Sequence, residues 1–415
     1  MSTAMAEETD ADPASAAKAV VLRLKQAGFE SYWAGGCVRD LLSGKTPKDY
    51  DVATAAKPEE VEALFRRTVA VGRAFGVVRV RCRGHWFEVA TFRKDGTYAD
   101  GRRPDSVVFS SAEEDAGRRD FTINGMFLDP ESERVVDFVG GKADLDARLV
   151  RAIGDPDARF GEDSLRLLRA IRFAAQEGFA LEAETEAAIV RRGGDLARVS
   201  PERVREELVK ISFGSRVVRT GAAKLFFSTG LWAGICGDIA RVDPSAAIDA
   251  VSRTTLPGPV MFLAGLCGSA VDPFVSKPRA VDFVGRLAER LRLSNEERGV
   301  LETLLGDRGR LRGFLTARPA RRRLWATRTD LDLHLALADA ERVDPIVLDA
   351  IRAEASTAGL RPAPLLDGGA AMKLGARKGP ALGALLRRVR LLQLGGRLDG
   401  AENAAAYVRG RNAVD

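Results

Sequence analysis

Patterns typical of β-strands occur only in the first 150 residues of this 415-residue chain, and the rest shows helical patterns alone. Apolar and polar residues alternate in VVRVRCRG and HWFEVATFR, which predicts a hairpin with a tight turn at Arg83-Gly84. From about residue 155 apolar residues recur at helical spacing, as in FGEDSLRLLRAIRFAAQEG. We therefore expect an α+β fold, with a small, mainly antiparallel sheet in the N-terminal domain and an all-helical remainder.

Composition excludes several classes of protein. No apolar run approaches the roughly 18 residues that a membrane span needs. Four cysteines without a CxxC pair argue against a disulfide scaffold or a zinc ribbon, and two histidines argue against a His-rich metal site. The N-terminal MSTAMAEETDADP lacks the basic and apolar segments of a secretory signal. We expect residues 1–13 to form a short disordered tail, and the protein to be cytoplasmic.

Basic residues exceed acidic ones, and the net charge of +6 has two interpretations. It reflects either a genome bias toward arginine codons or the binding of a polyanion. Between Arg308 and Arg328 there are eight arginines and no acid, with Phe314 and Trp325 interleaved. This segment favours contact with an RNA backbone, although a solvated helix face is the alternative. The candidate RNA-binding residues are Arg318, Arg321, Arg322, Arg323 and Lys378.

The segment GGCVRDLLSGKTPKDYDVAT, residues 35–54, carries the first chemical signal. Gly35 and Gly36 stand at a predicted strand-to-helix turn, where they allow a phosphate to approach the backbone and the start of the helix. Arg39, in the first turn of that helix, is placed to add a charge-assisted hydrogen bond to phosphate. An ordinary glycine turn followed by a surface arginine is the alternative.

Two carboxylates follow in the same segment. Asp49 and Asp51 are two residues apart in a predicted strand, so their side chains should share a face. Such a pair repels itself unless a cation lies between, and oxygen ligands of this kind suit Mg²⁺. Glu88, in HWFEVATF, adds a third acid that could bind a second metal ion or accept a proton. The alternatives are a polar strand end and a solvated strand residue.

Two further segments contain regularly placed arginines. In RRDFTINGM, residues 118–126, two arginines precede an Asp and a Thr that could bind a ribose. In GEDSLRLLRAIRFA, Asp163 and Arg166 should be neighbours on a helix, offering an acceptor beside a fork of donors. That pattern complements cytosine and adenine and rejects uracil and guanine. A surface salt bridge is the alternative.

As an ordered set, these segments resemble the class II tRNA nucleotidyltransferases, which include the bacterial CCA-adding enzymes and their sister poly(A) polymerases. The resemblance covers roughly residues 30–210, and PERVREEL at 201–208 is similar to a further helical motif of the family. It implies Mg²⁺ at Asp49 and Asp51. It also implies a nucleotide site that is formed by Gly35, Gly36, Arg39, Arg119, Asp163, Arg166, Arg169 and Arg172.

The resemblance implies a nucleotidyltransferase head at residues 14–150, a helical neck at 151–255 and a tRNA-binding body and tail at 256–415. The implied activity is template-independent addition of C, C and A to the 3′ end of tRNA from CTP and ATP. The Gly-rich stretch at 93–117 is expected to be partly a mobile loop that helps the site switch from C to A.

Several alternatives share some or all of these motifs. Within the family they are a poly(A) polymerase and an enzyme that adds only CC or only A. Outside that activity, the chain could be a catalytically inactive RNA-binding protein or a nucleotidyltransferase that acts on a small molecule. The intact acids and the long basic helical half argue against the last two. The sequence leaves the oligomeric state open.

Overall fold

The computed structural model describes residues 12–72, 75–96, 107–237, 242–271, 277–357 and 362–412. The chain divides into two compact units, Met1–Asp238 and Ile239–Asp415. Most of the predicted tail and residues 97–106 of the predicted mobile loop lie outside the described residues. Across the described ranges, no helix has both the length and the apolar character that a membrane span requires.

Strands occur only in the first unit among the described residues. They are β1 (Ser31–Ala34), β2 (Asp51–Thr54), β3 (Thr68–Gly72), β4 (Val77–Cys82), β5 (His85–Thr91), β6 (Arg93–Asp95), β7 (Val107–Phe109), β8 (Phe127–Leu128), β9 (Val135–Val136), β10 (Leu149–Val150) and β11 (Ala180–Leu181). Seven of them form one sheet in the order β3-β4-β5-β2-β1-β8-β9. Within it β2 and β5 are parallel and the other neighbours are antiparallel. The mainly antiparallel sheet is thus confirmed.

Helices surround and follow this sheet in the first unit. They are α1 (Pro13–Gln26), α2 (Gly36–Leu42), α3 (Pro58–Leu64), α4 (Ala112–Gly117), α5 (Gly141–Asp146), α6 (Pro156–Glu162), α7 (Leu165–Glu177), α8 (Ala183–Arg192), α9 (Pro201–Ser212), α10 (Arg216–Ser228) and α11 (Leu231–Cys236). One face of α1 packs into the core, because Ala17, Val20, Val21 and Leu24 are buried.

The second unit is helical throughout its described residues. Its helices are α12 (Pro244–Arg253), α13 (Pro259–Cys267), α14 (Lys277–Leu291), α15 (Asn295–Gly306), α16 (Arg308–Arg312), α17 (Pro319–Ala326), α18 (Leu331–Ala340), α19 (Pro345–Thr357), α20 (Gly368–Lys373), α21 (Pro380–Leu394) and α22 (Ala401–Asn412). The α+β class with a helical remainder is confirmed. The finer division into head, neck, body and tail stays a prediction.

The hairpin of β4 and β5 forms where the alternating pattern predicts it. Arg83 and Gly84 both have positive φ, at 47° and 87°, which suits the tight turn between twisted antiparallel strands. Val78, Val80 and Phe87 are buried, and α1 and α3 contact these strands. One face of the hairpin therefore faces the core, and the alternate residues face the other way.

The opposite face of the sheet is covered only in part. Its apolar cluster joins Ala53, Phe92 and Phe127 to Ala112 and Ala116 of α4. Because side chains alternate along a strand, Asp51 shares the face of Ala53. At that end of β2 the face is open, and Asp51 is exposed. The fold thus leaves one edge of this sheet face uncovered, at the position of the predicted acids.

Candidate active site

Asp51 and Glu88 are neighbours across the parallel strands β2 and β5. The register pairs Val52 with Val89, so its continuation by one residue places Asp51 opposite Glu88. Neighbouring strands lie about 4.8 Å apart. Because Val52 and Val89 are buried on one face, both carboxylates belong to the other face, where they are exposed. The sheet register therefore brings together two of the three predicted acids.

The third acid, Asp49, lines the same cavity, which has a volume of about 420 Å³. Although Asp51 is exposed, the cavity walls displace much of the water around its carboxylate. This desolvation, followed by the negative charge of Glu88, raises the pKa of Asp51 to about 6. Asp49 adds to the shift, whereas Arg119 opposes it. The three acids therefore form one region of crowded negative charge.

Asp49 lies outside the strand that the sequence pattern predicted, which corrects the argument from alternation. β2 begins at Asp51, and Asp49 belongs to the irregular segment before it. Tyr50, between the two acids, is buried and packs against Trp33 with ring centroids 4.9 Å apart. Burial of this aromatic ring, rather than regular strand geometry, leaves the flanking carboxylates at the surface of the cavity.

The donor set suits a hard divalent cation that a substrate helps to bind. Within the described residues, no three His, Cys, Asp or Glu side chains lie close enough to hold a metal ion by themselves. Mg²⁺ usually takes one or two protein carboxylates and completes its shell with waters and substrate phosphates. Asp49 and Asp51 fit that pattern, and their mutual repulsion is what a cation relieves. The metal pair and the role of Glu88 stay predictions.

The predicted glycine turn lies directly against Arg119. Gly35, with φ +73°, precedes α2, and a Cβ on it would lie 2.9 Å from Nη1 of Arg119. Both the backbone conformation and this close approach require glycine. The Arg119 Nε and Nη2 donate to Oδ2 of Asp115 at 3.2 and 2.9 Å. Gly36, which begins α2, and Arg119 therefore lie on the β1 side of Asp51, and their contact with a nucleotide phosphate stays a prediction.

Arg39 is buried, which argues against the alternative of an ordinary surface arginine. Its Nη1 donates to Oδ1 of Asn124 at 2.8 Å, and its Nη2 donates to Oδ1 of Asp40 at 2.7 Å. Nε also forms an ion pair with Oε1 of Glu177 at 3.3 Å. The guanidinium is thus already committed to protein groups and holds α2 in place. A direct contact with nucleotide stays a prediction.

Asp163 has a different partner from the one that helical spacing indicated. It caps the end of α6, before α7 begins at Leu165, so ideal helix geometry does not apply to it. Arg203 of α9 donates from Nη2 and Nη1 to the two Asp163 oxygens at 2.6 and 3.1 Å. Sequence analysis missed Arg203, although it lies in the PERVREEL motif, because a contact across 40 residues leaves no periodic signal.

Arg166 is turned away from Asp163. Its Nη1 donates to Glu162 at 2.6 Å, and its Nη2 donates to the carbonyl of Arg118 at 3.1 Å. The surface salt bridge between Asp163 and Arg166, which was the alternative to base recognition, is therefore not formed among the described residues. The two residues still lie at the same end of α7. Their role in selecting C and A stays a prediction.

Arg169 and Arg172 share one aromatic ring of α7. Their guanidinium carbons lie 5.3 and 4.1 Å from the centroid of Phe173, and that of Arg39 lies 5.2 Å away. Arg169 pairs with Asp120 at 2.5 Å. Burial alone would raise the pKa of Asp120, but the charge and hydrogen bonds of Arg169, with the hydrogen bonds of Asn124 and the Phe121 backbone, hold this pKa below its ordinary value. Arg172 pairs with Glu207 of α9. These arginines join α7 to its neighbours, and their predicted nucleotide contacts stay predictions.

In the second unit, several arginines of the 308–328 segment are engaged by acids from elsewhere in the sequence. Arg308 is buried and pairs with Glu341 at 2.6 Å, and Arg328 pairs with Asp307 at 2.8 Å. Glu354 lies 3.8 and 3.5 Å from the candidates Arg322 and Arg323. The candidates Arg318, Arg321 and Lys378 are exposed. The apparent excess of positive charge is therefore smaller than the sequence indicated.

Comparison with known families assigns part of the chain. Residues 31–151 match the family described as the poly A polymerase head domain. This part of the chain is therefore similar to a poly A polymerase head domain. Residues 178–235, which contain Arg203, match a second family, described as the probable RNA and SrmB-binding site of polymerase A. The resemblance that the sequence motifs indicated is confirmed.

Curated relatives support the same assignment. The chain is 47% identical over 201 residues to the CCA-adding enzyme of Leuconostoc mesenteroides, covering 48% of this chain and 50% of that protein. It is 45% identical over 231 residues to the CCA-adding enzyme of Geobacillus kaustophilus, covering 55% and 56%. The chain thus spans about half the length of the curated relatives it matches.

Solved structures extend the likeness across the chain. The crystal structure of the Bacillus stearothermophilus CCA-adding enzyme in complex with CTP has a TM-score of 0.68, with 26% identity. It covers 97% of this chain and 98% of that one. The Thermotoga maritima CCA-adding enzyme complexed with tRNA has a TM-score of 0.66 and 18% identity, covering 97% and 96%. The second likeness shows a shared fold.

Proposed function

We propose that this protein adds C, C and A, without a template, to the 3′ end of tRNA from CTP and ATP. One observation carries the proposal: a single cavity holds Asp49, Asp51 and Glu88 beside the Gly35 turn and Arg119. Clustered acids for a divalent cation beside a close backbone approach are what nucleotidyl transfer needs. CCA-adding enzymes among the relatives favour tRNA as the acceptor over other RNA.

Asp49 and Asp51 would hold Mg²⁺. When bound, the ion would make the attacking 3′-hydroxyl more acidic and neutralise charge on the phosphates. The carboxylate of Asp51 must be ionised for this role, and its pKa of about 6 leaves it ionised at neutral pH. Glu88, opposite Asp51 in the sheet, would accept the proton of the hydroxyl.

The incoming nucleotide is bound on the β1 side of the acids. Arg119 lies against Gly35 there and offers positive charge to the triphosphate. Asp163 is held by Arg203, so its carboxylate is fixed before a base arrives. The donors of Arg166 are engaged by Glu162 and the carbonyl of Arg118, so Arg166 would have to turn toward the base. Together with the Asp163 acceptor it would then favour cytosine and adenine over uracil and guanine. The base is thus chosen by side chains rather than by a template strand.

The reaction is one substitution at phosphorus. The 3′-oxygen of the RNA forms a bond to the α-phosphorus, and the bond from the α-phosphorus to the bridging oxygen of the β-phosphate breaks. Pyrophosphate leaves with the bonding electron pair, and the proton of the hydroxyl passes to Glu88 or to water. The protein contributes mainly position and charge, as is usual for phosphoryl transfer.

Extension of a tRNA transcript that ends at the discriminator base tests the proposal. The purified protein with Mg²⁺ should add two C residues with CTP alone and a further single A with both nucleotides. A long A tail would instead assign poly(A) polymerase activity. Arrest at CC would assign a CC-only enzyme, and growth only on transcripts ending in CC would assign an A-only enzyme. Binding of RNA without any extension would assign an inactive RNA-binding protein.

RNA contacts in the second unit form a separate part of the proposal. Arg318, Arg321 and Lys378 are exposed and could contact the tRNA backbone, whereas Arg322 and Arg323 are near Glu354. Joint replacement of Arg318 and Arg321 by Glu should weaken tRNA binding and leave the KM for CTP unchanged. Replacement of Arg352 by Glu is the matched control, because its guanidinium is exposed but pairs with Asp349. Equal effects of both changes would contradict this assignment.

A further inference from the structure

We propose that the part of the acid-lined cavity beyond Glu88 binds the 3′-terminal nucleotide of the RNA, with its base stacked on Trp86. The inference deepens the proposed function and rests on it. The cavity of about 420 Å³ lies within the size range of small-ligand sites. Its walls include Lys48, Arg79 and Trp86 in addition to the three acids. The cavity therefore contains, beside the acids that would bind a metal ion, two cationic side chains and one aromatic side chain that metal binding does not require.

Trp86 presents an aromatic surface next to the acids. It stands two residues before Glu88 in β5, so the two side chains share a face about 7 Å apart. The side chain is 41% exposed, although Trp is usually well buried. The guanidinium carbon of Arg79 lies 5.5 Å from the ring centroid. An exposed ring held by a cation is a surface on which a nucleobase can stack.

Positive groups surround this ring. Arg79 is the cross-strand partner of Glu88, and Arg81 is the cross-strand partner of Trp86. Lys48 lies before Asp49 and lines the same cavity. In the described parts of the chain, none of these three cations has a carboxylate within ion-pairing distance. They are therefore available to the phosphates of a polyanion, which favours RNA over a protein partner.

The order of strands decides which nucleotide uses this surface. Across the sheet, β1 with Gly35 lies on one side of Asp51, and β5 with Trp86 lies on the other. Attacking and leaving oxygens stand on opposite sides of the phosphorus in phosphoryl transfer. If the triphosphate occupies the Gly35 side, the attacking hydroxyl must approach from the side of Trp86. The strand order thus assigns Trp86 to the RNA rather than to the incoming nucleotide.

The open face continues away from the acids. β4 and β3 follow β5 in the sheet, and Val69 pairs with Arg79 across the β3–β4 ladder. Val69 and Val71 of β3 are 49% and 58% exposed. From Asp51 to Val69 the face crosses three strand spacings, or about 14 Å. That length accommodates the terminal nucleotide and the phosphate that precedes it.

Steady-state kinetics of Trp86→Ala test the assignment on the full chain. Loss of one base stack should raise the KM for a tRNA acceptor about tenfold and leave the KM for CTP unchanged. Trp86→Phe should restore most of the affinity, because a phenyl ring also stacks. The matched control is Phe138→Ala, since Phe138 is a similarly exposed aromatic residue of the first unit, at 44%. This control should leave both KM values unchanged.

A binding measurement separates this inference from the proposed reaction. A 5′-labelled tRNA minihelix ending at the discriminator base should bind Trp86→Ala about tenfold more weakly than wild type, as read by fluorescence anisotropy. Tryptophan emission of the wild type should fall on RNA binding, and Trp86→Phe should lose that change although Trp33, Trp232 and Trp325 remain.

The outcomes are distinguishable. Binding that depends on Trp86 without any extension by wild type would support the subsite and reject the proposed reaction. Extension by wild type with unchanged RNA affinity in Trp86→Ala and unchanged emission would overturn the subsite. A raised KM for CTP alone would also overturn it, because Trp86 would then contact the incoming base. If Trp86→Ala fails to fold, the tryptophan emission of Trp86→Phe on RNA binding provides the test.

Discussion

The acids Asp49, Asp51 and Glu88 and the arginines of α7 were both predicted to form the site. In the structure, the two groups differ in whether their charges are already paired. Asp51 and Glu88 are exposed, and after burial the charges of Glu88 and Asp49 raise the pKa of Asp51. Arg166, Arg169 and Arg172 of α7 are each paired with a protein acid. Unpaired acids indicate a place for a cation, whereas paired arginines indicate a scaffold that holds other groups in position.

Replacement of Asp51 should have the largest effect on turnover. Asp51→Ala should lower kcat about a thousandfold, because the metal site and its charge compensation are lost. RNA affinity should stay close to that of wild type, since Asp51 is not part of the aromatic surface. Asp146→Ala, an exposed acid of the same unit that pairs with Lys142, should retain full turnover. Retained activity in Asp51→Ala, measured by nucleotide incorporation, would reject this metal site.

Loss of a scaffold arginine should have an intermediate effect. Arg203→Met frees Asp163, and a misplaced acceptor should lower kcat/KM for CTP roughly 10- to 100-fold and raise misincorporation of UTP. The free energy of unfolding should fall by about 2 kcal/mol, because Asp163 loses a largely buried partner.

The matched control for that change is Arg191→Met. Arg191 also forms an ion pair, with Asp157 at 2.5 Å, but both side chains are well exposed. Surface pairs of this kind contribute little to stability, so the control should behave as wild type in both assays. If the two variants behave alike, the distinction between scaffold arginines and surface arginines is wrong.

In the second unit, His334 is a titratable side chain whose charged form is disfavoured by burial. Burial first, and then the positive charge of Arg328, lower the pKa of His334 to about 4. Asp330 and Asp307, which also face His334, oppose this shift without cancelling it. An unfolded histidine titrates near 6.5, so stability is full above that pH and is lost as pH falls toward 4.

Between pH 7 and pH 5, the free energy of unfolding should fall by about 2 kcal/mol through this group. Urea titration at the two pH values measures the change. His334→Leu should reduce the difference between them, because the neutral side chain does not titrate. An identical pH dependence in this variant would show that other groups are responsible.

The smallest expected effect is the change in turnover with pH. It tests most directly whether the neighbouring acids raise the pKa of Asp51. Since the pKa of Asp51 is raised to about 6, kcat/KM should fall about tenfold from pH 7 to pH 5 as the carboxylate is protonated. Glu88→Gln removes one negative charge that raises this pKa. Its acid limb should therefore move to lower pH, even though its maximal rate falls. A limb that stays in place would show that Glu88 does not act on Asp51.

Local patterns found much of this site before the fold was known. The hairpin, the glycine turn and the three acids each lie within short segments, where strand alternation and turn chemistry act locally, although alternation wrongly placed Asp49 in a strand. Arg203 could not be found in this way, since its partner Asp163 lies 40 residues away. The burial of Arg39 was equally hidden, because Asn124 and Glu177 reach it from distant segments. Local sequence marks chemistry, whereas long-range packing decides which charges remain free.

Arginine-rich sequence was the least reliable guide. The segment from 308 to 328 has no acid of its own, but Asp307, Glu341 and Glu354 lie beside it in the structure. A charge run therefore overstates the surface potential whenever acids from other helices pack against it. Exposure of individual side chains, as for Arg318 and Arg321, is the more useful criterion.

The parallel pairing of β2 and β5 has a kinetic consequence. The two strands are joined through α3, β3 and β4, so Asp51 and Glu88 meet only after the intervening chain has turned back twice. Pairings across long sequence separations form late, because loop closure must precede them. During synthesis, residues up to Thr91 must have left the ribosome before these acids can share a cation. A nascent or partly unfolded chain would thus have no assembled site.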